Sequence, residues 1–517
     1  MKILTAAQMR DVDRRTIEAG IPGIILMENA AHRVVEFLRE RFTPLSGHRI
    51  VVFCGKGNNG GDGLAIARLL HIVEKPHSLH VLLASGPEEL KGDAAANFHM
   101  LEAAGLHPEF EITEEMRRAT LVVDALLGTG LAGPARGRPL EWIREMNSGF
   151  ADARVVAVDV PSGMESDRPD SGGEVARATA TVTFTAPKIC HALAPACDRI
   201  GEVRVVPIGS PVAMIEGDAS LFLSLAEPAM FRHLFRPRPR ESNKGAYGHV
   251  LAVAGARGKS GAAAMTGLAA LRSGAGLVTV ASAESAIAAI ASHAAELMTE
   301  PLPETPEGSI SPAAFEKQTM EAALARKNVV ASGPGLGMHP DTVHFLRRLV
   351  EKTALPMVLD ADALNALAGS EIPTPAPRVL TPHPGEMARL AKISIPQVQG
   401  DRVNVARRFA QQHGVWLVLK GNRSLIASPA GQVCVNPTGS PAMSTGGSGD
   451  ILTGIIAGLL AQFPEEIMAV LVASVWIHGR AGELAAAALG EKAVIAGDLL
   501  RFLPEAMSEH ADVSHHV

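Results

Sequence analysis

Short β-branched runs alternate with amphipathic stretches along most of the chain. In the first half the runs fall at residues 49–54, 79–83, 121–124, 155–159, 181–184 and 203–206, and in the second at 250–254, 278–281, 329–331, 357–360, 379–381 and 416–419. Apolar runs of this kind, separated by helical repeats, predict βαβ units whose strands are buried on both faces, hence a mostly parallel sheet in each half. Around residues 211–240 the rhythm stops. There Arg236, Pro237, Arg238, Pro239 and Arg240 form a segment that cannot enter a central strand or a helix interior, because proline lacks the amide donor. A new strand with a glycine-rich loop begins at Gly248. The pattern predicts an α/β chain of two domains, residues 1–214 and 222–505, with the boundary near 215 and the Pro/Arg segment as an arm on the second domain. A boundary near 240 is the alternative, and it moves none of the motifs below.

Composition narrows the class. The 517 residues are too many for one ordinary core. With 48 Lys+Arg against 54 Asp+Glu and a net charge of -6, the chain lacks the cationic excess that neutralising nucleic-acid phosphates requires. Cys54, Cys190, Cys197 and Cys434 form no CxxC pair, which argues against a disulfide framework or a thiolate zinc site and fits a reducing cytoplasm. The N-terminal residues become charged before a signal-peptide core could form, and the apolar stretch 451–463 ends at Pro464, Glu465 and Glu466, short of a bilayer span. The expectation is a cytoplasmic protein with no membrane and no nucleic acid among its partners.

Three strand ends in the first half carry chemistry. The run 49–54 leads into GNNGGDG at 57–63, the run 121–124 into DALLGTGL at 124–131, and the run 155–159 into VDVPSG at 158–163. In an open parallel sheet such ends converge on one crevice, where glycines admit close backbone approach and a helix N-terminus offers unpaired N–H groups. Asp124 and Asp159 then stand as carboxylates at the mouth of that crevice; taken singly, each equally suits a loop cap. These motifs, with LMENA at 26–30 and TFTAPK at 183–188, resemble the NAD(P)HX epimerases, also called YjeF N-terminal domains, over residues 1–213. The resemblance implies a Rossmann-like three-layer αβα fold and epimerisation of R- to S-hydrated NADH or NADPH. It implies a potassium ion held by Asn59, Asp124 and Ser162. It also implies substrate contacts from Asn58, Asn59, Gly60, Gly61 and Asp62, from Gly128, Thr129, Gly130, Leu131, Ala132, Gly133 and Pro134, and from Asp159. Epimerising the hydrated carbon needs a proton shuttle, and Asp159 is the expected catalytic residue. Lys188 either assists it or is a surface lysine after a strand.

In the second half, STGGSGD at 444–450 opens directly into an apolar helix. Successive amides at that turn, backed by the helix dipole, make an anion hole for a transferring phosphoryl group, and Asp450 stands where a substrate hydroxyl must lose its proton. The loop is neither a Walker A motif nor part of the protein-kinase set. Together with NKGAYGH at 243–249, GPGLG at 333–337, LDADALN at 359–365, TPHPGE at 381–386 and Lys420-Gly421, it resembles the ribokinase-like, ADP-dependent NAD(P)HX dehydratases over about 222–503. The resemblance implies dehydration of the S hydrate with ADP converted to AMP and phosphate, and magnesium as cofactor. Hydrate contacts are implied for Ala264, Gly333, Gly335, His383 and Asp450. Nucleotide contacts are implied for Lys420, Gly421, Asn422, Arg423 and Ser424, and for Thr445, Gly446, Gly447, Ser448 and Gly449. Ser448 replaces the threonine usual in that loop, and Asn422 with Arg423 replace smaller residues.

Some alternatives stay open at this level. His383 is either a hydrate contact or a turn residue between two prolines. Asp360 and Asp362 are either magnesium ligands or the cap of the following helix, with the cap favoured. His510, His515 and His516 show no metal spacing and suggest a disordered tail. The apolar stretch 467–477 suggests a homo-oligomer. A vitamin-precursor kinase would explain the Gly-Asp loop but neither TPHPGE nor the first domain. A non-catalytic scaffold built on an epimerase-like domain would be expected to lose Asn59, Asp124, Asp159 and Ser162, all of which are present.

Overall fold

Six of the apolar runs become one parallel sheet. Its strands are β1 (Arg49–Cys54), β2 (Ser78–Leu83), β3 (Leu121–Ala125), β4 (Arg154–Val158), β5 (Ala180–Phe184) and β6 (Glu202–Val206), in the order β2-β1-β3-β4-β5-β6. The computed structural model describes residues 1–218 and 220–510, and contacts divide the chain into two units, Met1–Leu223 and Ser224–Val517. Strand β1 is central, pairing Val52 with Val81 on one side and with Val123 on the other. Alternation along it feeds two cores. Val52 and Cys54 pack with Val34, Leu38 and Leu64, whereas Val51 and Phe53 pack with Trp142, Ile143 and Phe150. Helices therefore cover both faces, a three-layer αβα arrangement.

The second unit holds ten strands: β7 (Leu223–Leu225), β8 (His249–Val253), β9 (Leu277–Ala283), β10 (Met298–Leu302), β11 (Val329–Ser332), β12 (Met357–Leu359), β13 (Arg378–Leu380), β14 (Trp416–Leu419), β15 (Leu425–Ala427) and β16 (Val433–Val435). Their order is β10-β9-β8-β11-β12-β13-β14-β15-β16-β7, parallel from β10 to β14 and antiparallel through β15 and β16. Val250 and Ala252 belong to a core shared with the helices Ser260–Arg272, Ser448–Gln462 and Ile467–Leu489. The alternate residues Leu251 and Val253 are equally buried, so the opposite face is covered as well.

Periodicity does not predict β7, β10, β15 or β16. β10 reads Met-Thr-Glu-Pro-Leu and carries Pro301, tolerated because this strand lies at the sheet edge. The other three have three residues each, too short to show a pattern.

One expectation loses its ground and another is corrected. The helix Ile467–Leu489 is long and apolar enough to cross a membrane by length and composition, yet 61% of its most apolar window is buried inside the unit. Val470, Leu471, Val475 and Ile477 are consumed in the core, so this helix gives no support to self-association. His510 is buried rather than in a tail, its ring edge-on to Phe231 at 5.1 Å; His515 and His516 lie outside the described residues. The Pro/Arg segment lies along the second unit, where Arg238 stacks over Tyr247 at 3.6 Å.

Helix Ser448–Gln462 approaches helix Ser260–Arg272 closely through glycine. A Cβ at Gly454 would stand 2.2 Å from the Thr266 carbonyl oxygen, and one at Gly458 would stand 2.1 Å from the Ser273 hydroxyl. Gly454→Ala gains helix propensity of about 1 kcal/mol but overpacks against backbone, at about 1–3 kcal/mol or more. It is expected to lower the urea midpoint of the second unit, and a midpoint at or above wild type would refute the close-approach account.

Candidate functional site

The first crevice opens at the carboxyl ends of β1, β3, β4 and β5. A cavity of about 520 Å³ lies there, lined by Asn58, Asn59 and Asp62, by the loop Gly128 to Ala132, and by Asp159 and Lys188. Helix Asn58–Leu69 begins at the cavity, and its N-cap Gly57 has no side chain to satisfy the first amides, which stay available to an anion. Gly60 and Gly61 are buried away from the ligand space. A Cβ at Gly60 would lie 1.7 Å from the Gly55 carbonyl oxygen, and one at Gly61 would meet Met27 at 2.8 Å. These glycines let the helix seat against β1, so what they offer a ligand is backbone. In the second loop Gly128 presses on the Asn59 side chain, and Pro134 packs toward Gly173 outside the cavity lining, with Gly133 beside it.

Asp159 sits at φ +64, a left-handed turn that takes the chain off β4 and that aspartate tolerates better than most residues. Lys188 is buried at 1% exposure, which settles the choice left open above: it is no surface residue. Its ammonium donates to Asp159 Oδ1 at 2.6 Å, Thr183 Oγ1 at 2.9 Å and the Phe184 carbonyl at 3.2 Å, so the whole group is occupied. Burial alone would raise the Asp159 carboxyl, but the Lys188 charge and hydrogen bond outweigh it and hold the carboxyl below the usual range. Three further carboxyls, Asp13, Asp62 and Asp93, line the cavity. Burial pushes Asp13 up to about 6, against a lowering by Lys188 and a raising by Asp159. Burial also raises Asp62 well above the ordinary value, with Asp159 and Asp13 adding to the effect.

Beside this cavity Asp124 is fully buried and answered only by neutral donors: the Ser162 N–H at 2.8 Å, the Ser162 hydroxyl and the Leu126 N–H at 3.3 Å. Burial raises its carboxyl to about 6 despite those bonds. The Asn59 amide is also buried, and neither its Oδ1 nor its Nδ2 has a partner. An uncompensated carboxylate and an orphaned amide oxygen are what a cation with oxygen ligands would satisfy.

The second constellation forms at the carboxyl ends of β11 to β14. The turn at 444–447 places Gly447 at φ +95, and a Cβ there would strike Met265 at 2.5 Å. The N–H groups of Gly446, Gly447, Gly449 and Asp450 have no backbone acceptor, which leaves an anion hole at the start of helix Ser448–Gln462. Asp450 lies in the first turn of that helix, its carboxyl raised to about 6 by burial first and by the nearby Asp360 charge second. Asp360 holds the N-cap position of helix Ala361–Leu367, but its carboxylate does not cap. It takes Lys420 Nζ at 2.6 Å and Thr453 Oγ1 at 2.9 Å, because burial at the floor of the site demands a charge partner. Asp362 accepts from the Gly337 amide at 2.7 Å.

Lys420 is also 4.0 Å from Glu386, whose carboxylate accepts the His383 N–H at 2.8 Å in a capping box. His383 is both a cap and half-exposed, so the two readings of it are compatible. Gly449 lies against Lys420 and Asp360, with a Cβ there 3.3 Å from Nζ. Gly333 passes under Asp360, where a Cβ would meet its carbonyl oxygen at 1.8 Å; Gly335 faces Ala262 and Lys259. Ala264 is buried at 1% on the same helix as Ala262. The loop after β14 is completed by Gly421 at φ +144, Arg423 at φ +58 and Ser424, whose hydroxyl donates to the Gly421 carbonyl at 3.0 Å.

Two residues absent from the sequence reading support this site. Arg402 lies beneath the loop and donates to the Asn422 carbonyl at 2.5 Å. His478 is buried against the turn, with Nε2 3.0 Å from the Ser448 carbonyl, and burial lowers it to about 4, so it stays neutral. Both come from distant helices and carry no local motif.

Two family models match the chain. One described as YjeF-related protein N-terminus covers residues 23–190, and one described as NAD(P)H-hydrate dehydratase covers 250–505. The chain is 42% identical over 517 residues to the bifunctional NAD(P)H-hydrate repair enzyme Nnr of Moorella thermoacetica, covering 98% of this chain and 96% of the relative. It is 37% identical over 500 residues to that of Coxiella burnetii, covering 96% and 97%. Among solved structures, an ADP/ATP-dependent NAD(P)H-hydrate dehydratase from Bacillus subtilis, co-crystallised with ATP/Mg2+, shows 32% identity and a TM-score of 0.49 over 56% of this chain and 98% of that one.

The raised Asp450 carboxyl has a consequence for stability. Folding favours its protonated form, so that stabilisation is full below the ordinary value of 3.8 and is lost as pH rises through about 6. Asp450→Asn is expected to raise the unfolding midpoint at about pH 7.5 by an amount worth about 1–3 kcal/mol, and to match wild type below about pH 4. Thermal melts across pH check this; a loss of stability at neutral pH would show that the Asp450 charge is well compensated.

Proposed function

The chain belongs to the family of bifunctional NAD(P)H-hydrate repair enzymes, and on that premise we propose that the Lys188–Asp159 cavity is its epimerase centre and the Asp450 turn its dehydratase centre. Damaged cofactor is repaired in two reactions: R-hydrated NADH or NADPH is converted to the S epimer, and the S hydrate is dehydrated to the usable cofactor. The observation that carries the site assignment is Asp450 in the first turn of a helix whose leading amides are unsatisfied.

Hydroxide leaves poorly, so the hydrate hydroxyl is first made into a phosphate ester. Asp450 takes the hydroxyl proton, the oxygen attacks the terminal phosphorus of ADP, and AMP departs while the amides of Gly446 to Gly449 bind the developing charge. The ring-nitrogen pair then expels phosphate, and loss of the adjacent ring proton restores the dihydropyridine. Asp360 acts beneath this step by fixing Lys420, which in turn faces Gly449 and the nucleotide phosphates. Magnesium would shield the phosphate charges; with Asp360 already paired to Lys420, we assign it to the nucleotide phosphates rather than to a protein cage. ADP is the donor we assign.

In the first unit, Asn59, Asp124 and Ser162 fit a potassium ion, which would supply the positive charge that the buried Asp124 lacks and would fix the loop after β3. The buried thiols of Cys54, Cys190 and Cys434 suit a reducing cytoplasm, the compartment we assign.

Recovery of reduced-nicotinamide absorbance from a mixed R/S hydrate, with magnesium and ADP, tests the assignment. Wild type is expected to restore all of it, Asp159→Ala to stop after the S fraction, and Asp450→Ala to restore none, each lost rate being about 10²–10⁴-fold. No recovery by wild type with ADP or ATP would sink the reading. Exchanging potassium for a bulky organic cation is expected to slow epimerisation reversibly; an unchanged rate would remove the ion from Asn59, Asp124 and Ser162.

A further inference from the structure

Inverting the hydrated carbon by loss and return of water needs a proton given to the leaving hydroxyl and another taken from the returning water. Asp159 is ill suited to the first task, because Lys188, 2.6 Å away, holds its carboxyl below the usual range and ionised. The cavity contains another carboxyl on a different element. Asp13 enters from helix Ala6–Glu18, a segment with no glycine-rich motif. Its Oδ1 is buried and has no hydrogen-bond partner. On the same helix Asp11 is bound to Arg14 and Arg15, the ordinary fate of a helical aspartate. Asp13 has no such cation: Lys188 spends all its donors on Asp159, Thr183 and Phe184.

We propose that Asp13 is a catalytic residue of the epimerase reaction, the proton donor that works against Asp159 as base. The Asp13 carboxyl proton passes to the hydroxyl oxygen; the C–O bond breaks with its electron pair on oxygen, and water leaves. The ring-nitrogen lone pair forms the C=N bond of a planar iminium. Water adds to the opposite face, the C=N pair returns to nitrogen, and the proton lost by the added water goes to Asp159. Asp159, the stronger acid, returns that proton to Asp13 through cavity water, so no net proton is consumed. Two carboxyls whose surroundings drive their acidities apart form an acid and base pair of this kind.

The charged groups around Asp13 are Arg10 on its own helix, Asp62 on helix Asn58–Leu69, Asp93 on helix Gly92–Ala103, Lys56, Asp159 and Lys188, with His191 behind the lysine. Of these, Asp62 is the other carboxyl that burial raises, so it is the necessary comparison.

The test uses full-length Asp13→Asn, Asp13→Glu and Asp62→Asn on R-hydrated NADH, with dehydration of purified S hydrate read on the same samples. Asp13→Asn is expected to lower epimerase kcat by about 10²-fold or more with KM unchanged, and to remove the fall in kcat at alkaline pH. Asp13→Glu restores part of the rate, and dehydration of the S hydrate stays at the wild-type level. The proposal is overturned if Asp13→Asn keeps wild-type kcat, or if KM rises with kcat and the alkaline limb intact. It is equally overturned if Asp62→Asn alone removes that limb. Absence of epimerisation in wild type would instead strike the assignment of the first unit.

Discussion

Three strands of this chain end at aspartates drawn largely out of water, and the way each charge is answered organises both units. Asp124 near the carboxyl end of β3, Asp159 after β4 and Asp360 after β12 stand where an apolar sheet meets an open crevice. A carboxylate in that position must find a cation, enough hydrogen bonds, or a proton. Asp159 finds Lys188, Asp360 finds Lys420, and Asp124 finds only neutral donors from Ser162 and Leu126. Buried pairs of this kind are weak sources of stability, since desolvation offsets the attraction. Their value here is position: Lys188 fixes Asp159 toward its cavity, and Asp360 fixes Lys420 beside Gly449.

Glycine is the second shared constraint, and its main task differs from the one the motifs suggest. Gly-rich loops are commonly taken as room for phosphate. In this chain Gly60 makes room for the Gly55 carbonyl, Gly333 for the Asp360 carbonyl and Gly454 for the Thr266 carbonyl. The helices can thus be drawn hard against strands and other helices, and that approach carries their unsatisfied first amides to the crevice. Close packing and anion binding are consequences of one geometry.

The parts legible in the sequence are those with local periodicity or local motifs. All twelve apolar runs became strands, because a strand buried on both faces must be apolar throughout. The glycine loops and their aspartates fell at the strand ends, because chain order fixes where a βα turn lies. What escaped was set by tertiary contact. Lys188 follows a strand like many surface lysines, and only the fold turns it inward to Asp159. Asp360 has the sequence environment of a cap, yet Thr453 and Lys420, distant in the chain, claim its carboxylate. Arg402 and His478 hold their loops through backbone carbonyls, a contact that no residue spacing encodes.

The two units also show how one plan yields opposite proton chemistry. Each joins a helix N-terminus, a strand-end aspartate and a lysine. In the first unit the lysine is spent on Asp159 itself, which holds that carboxyl below the usual range, while burial raises the neighbouring Asp13 and Asp62. In the second unit the lysine is spent on Asp360, which neighbours Asp450. Asp450 therefore feels burial and the residual Asp360 charge more than it feels the ammonium, and titrates near 6. A carboxyl poised there suits the base role proposed for Asp450, being ionised at neutral pH yet more basic than an ordinary carboxylate. Placing the cation on the aspartate, or on a neighbouring aspartate, thus decides whether its carboxyl is held below or raised above the ordinary value.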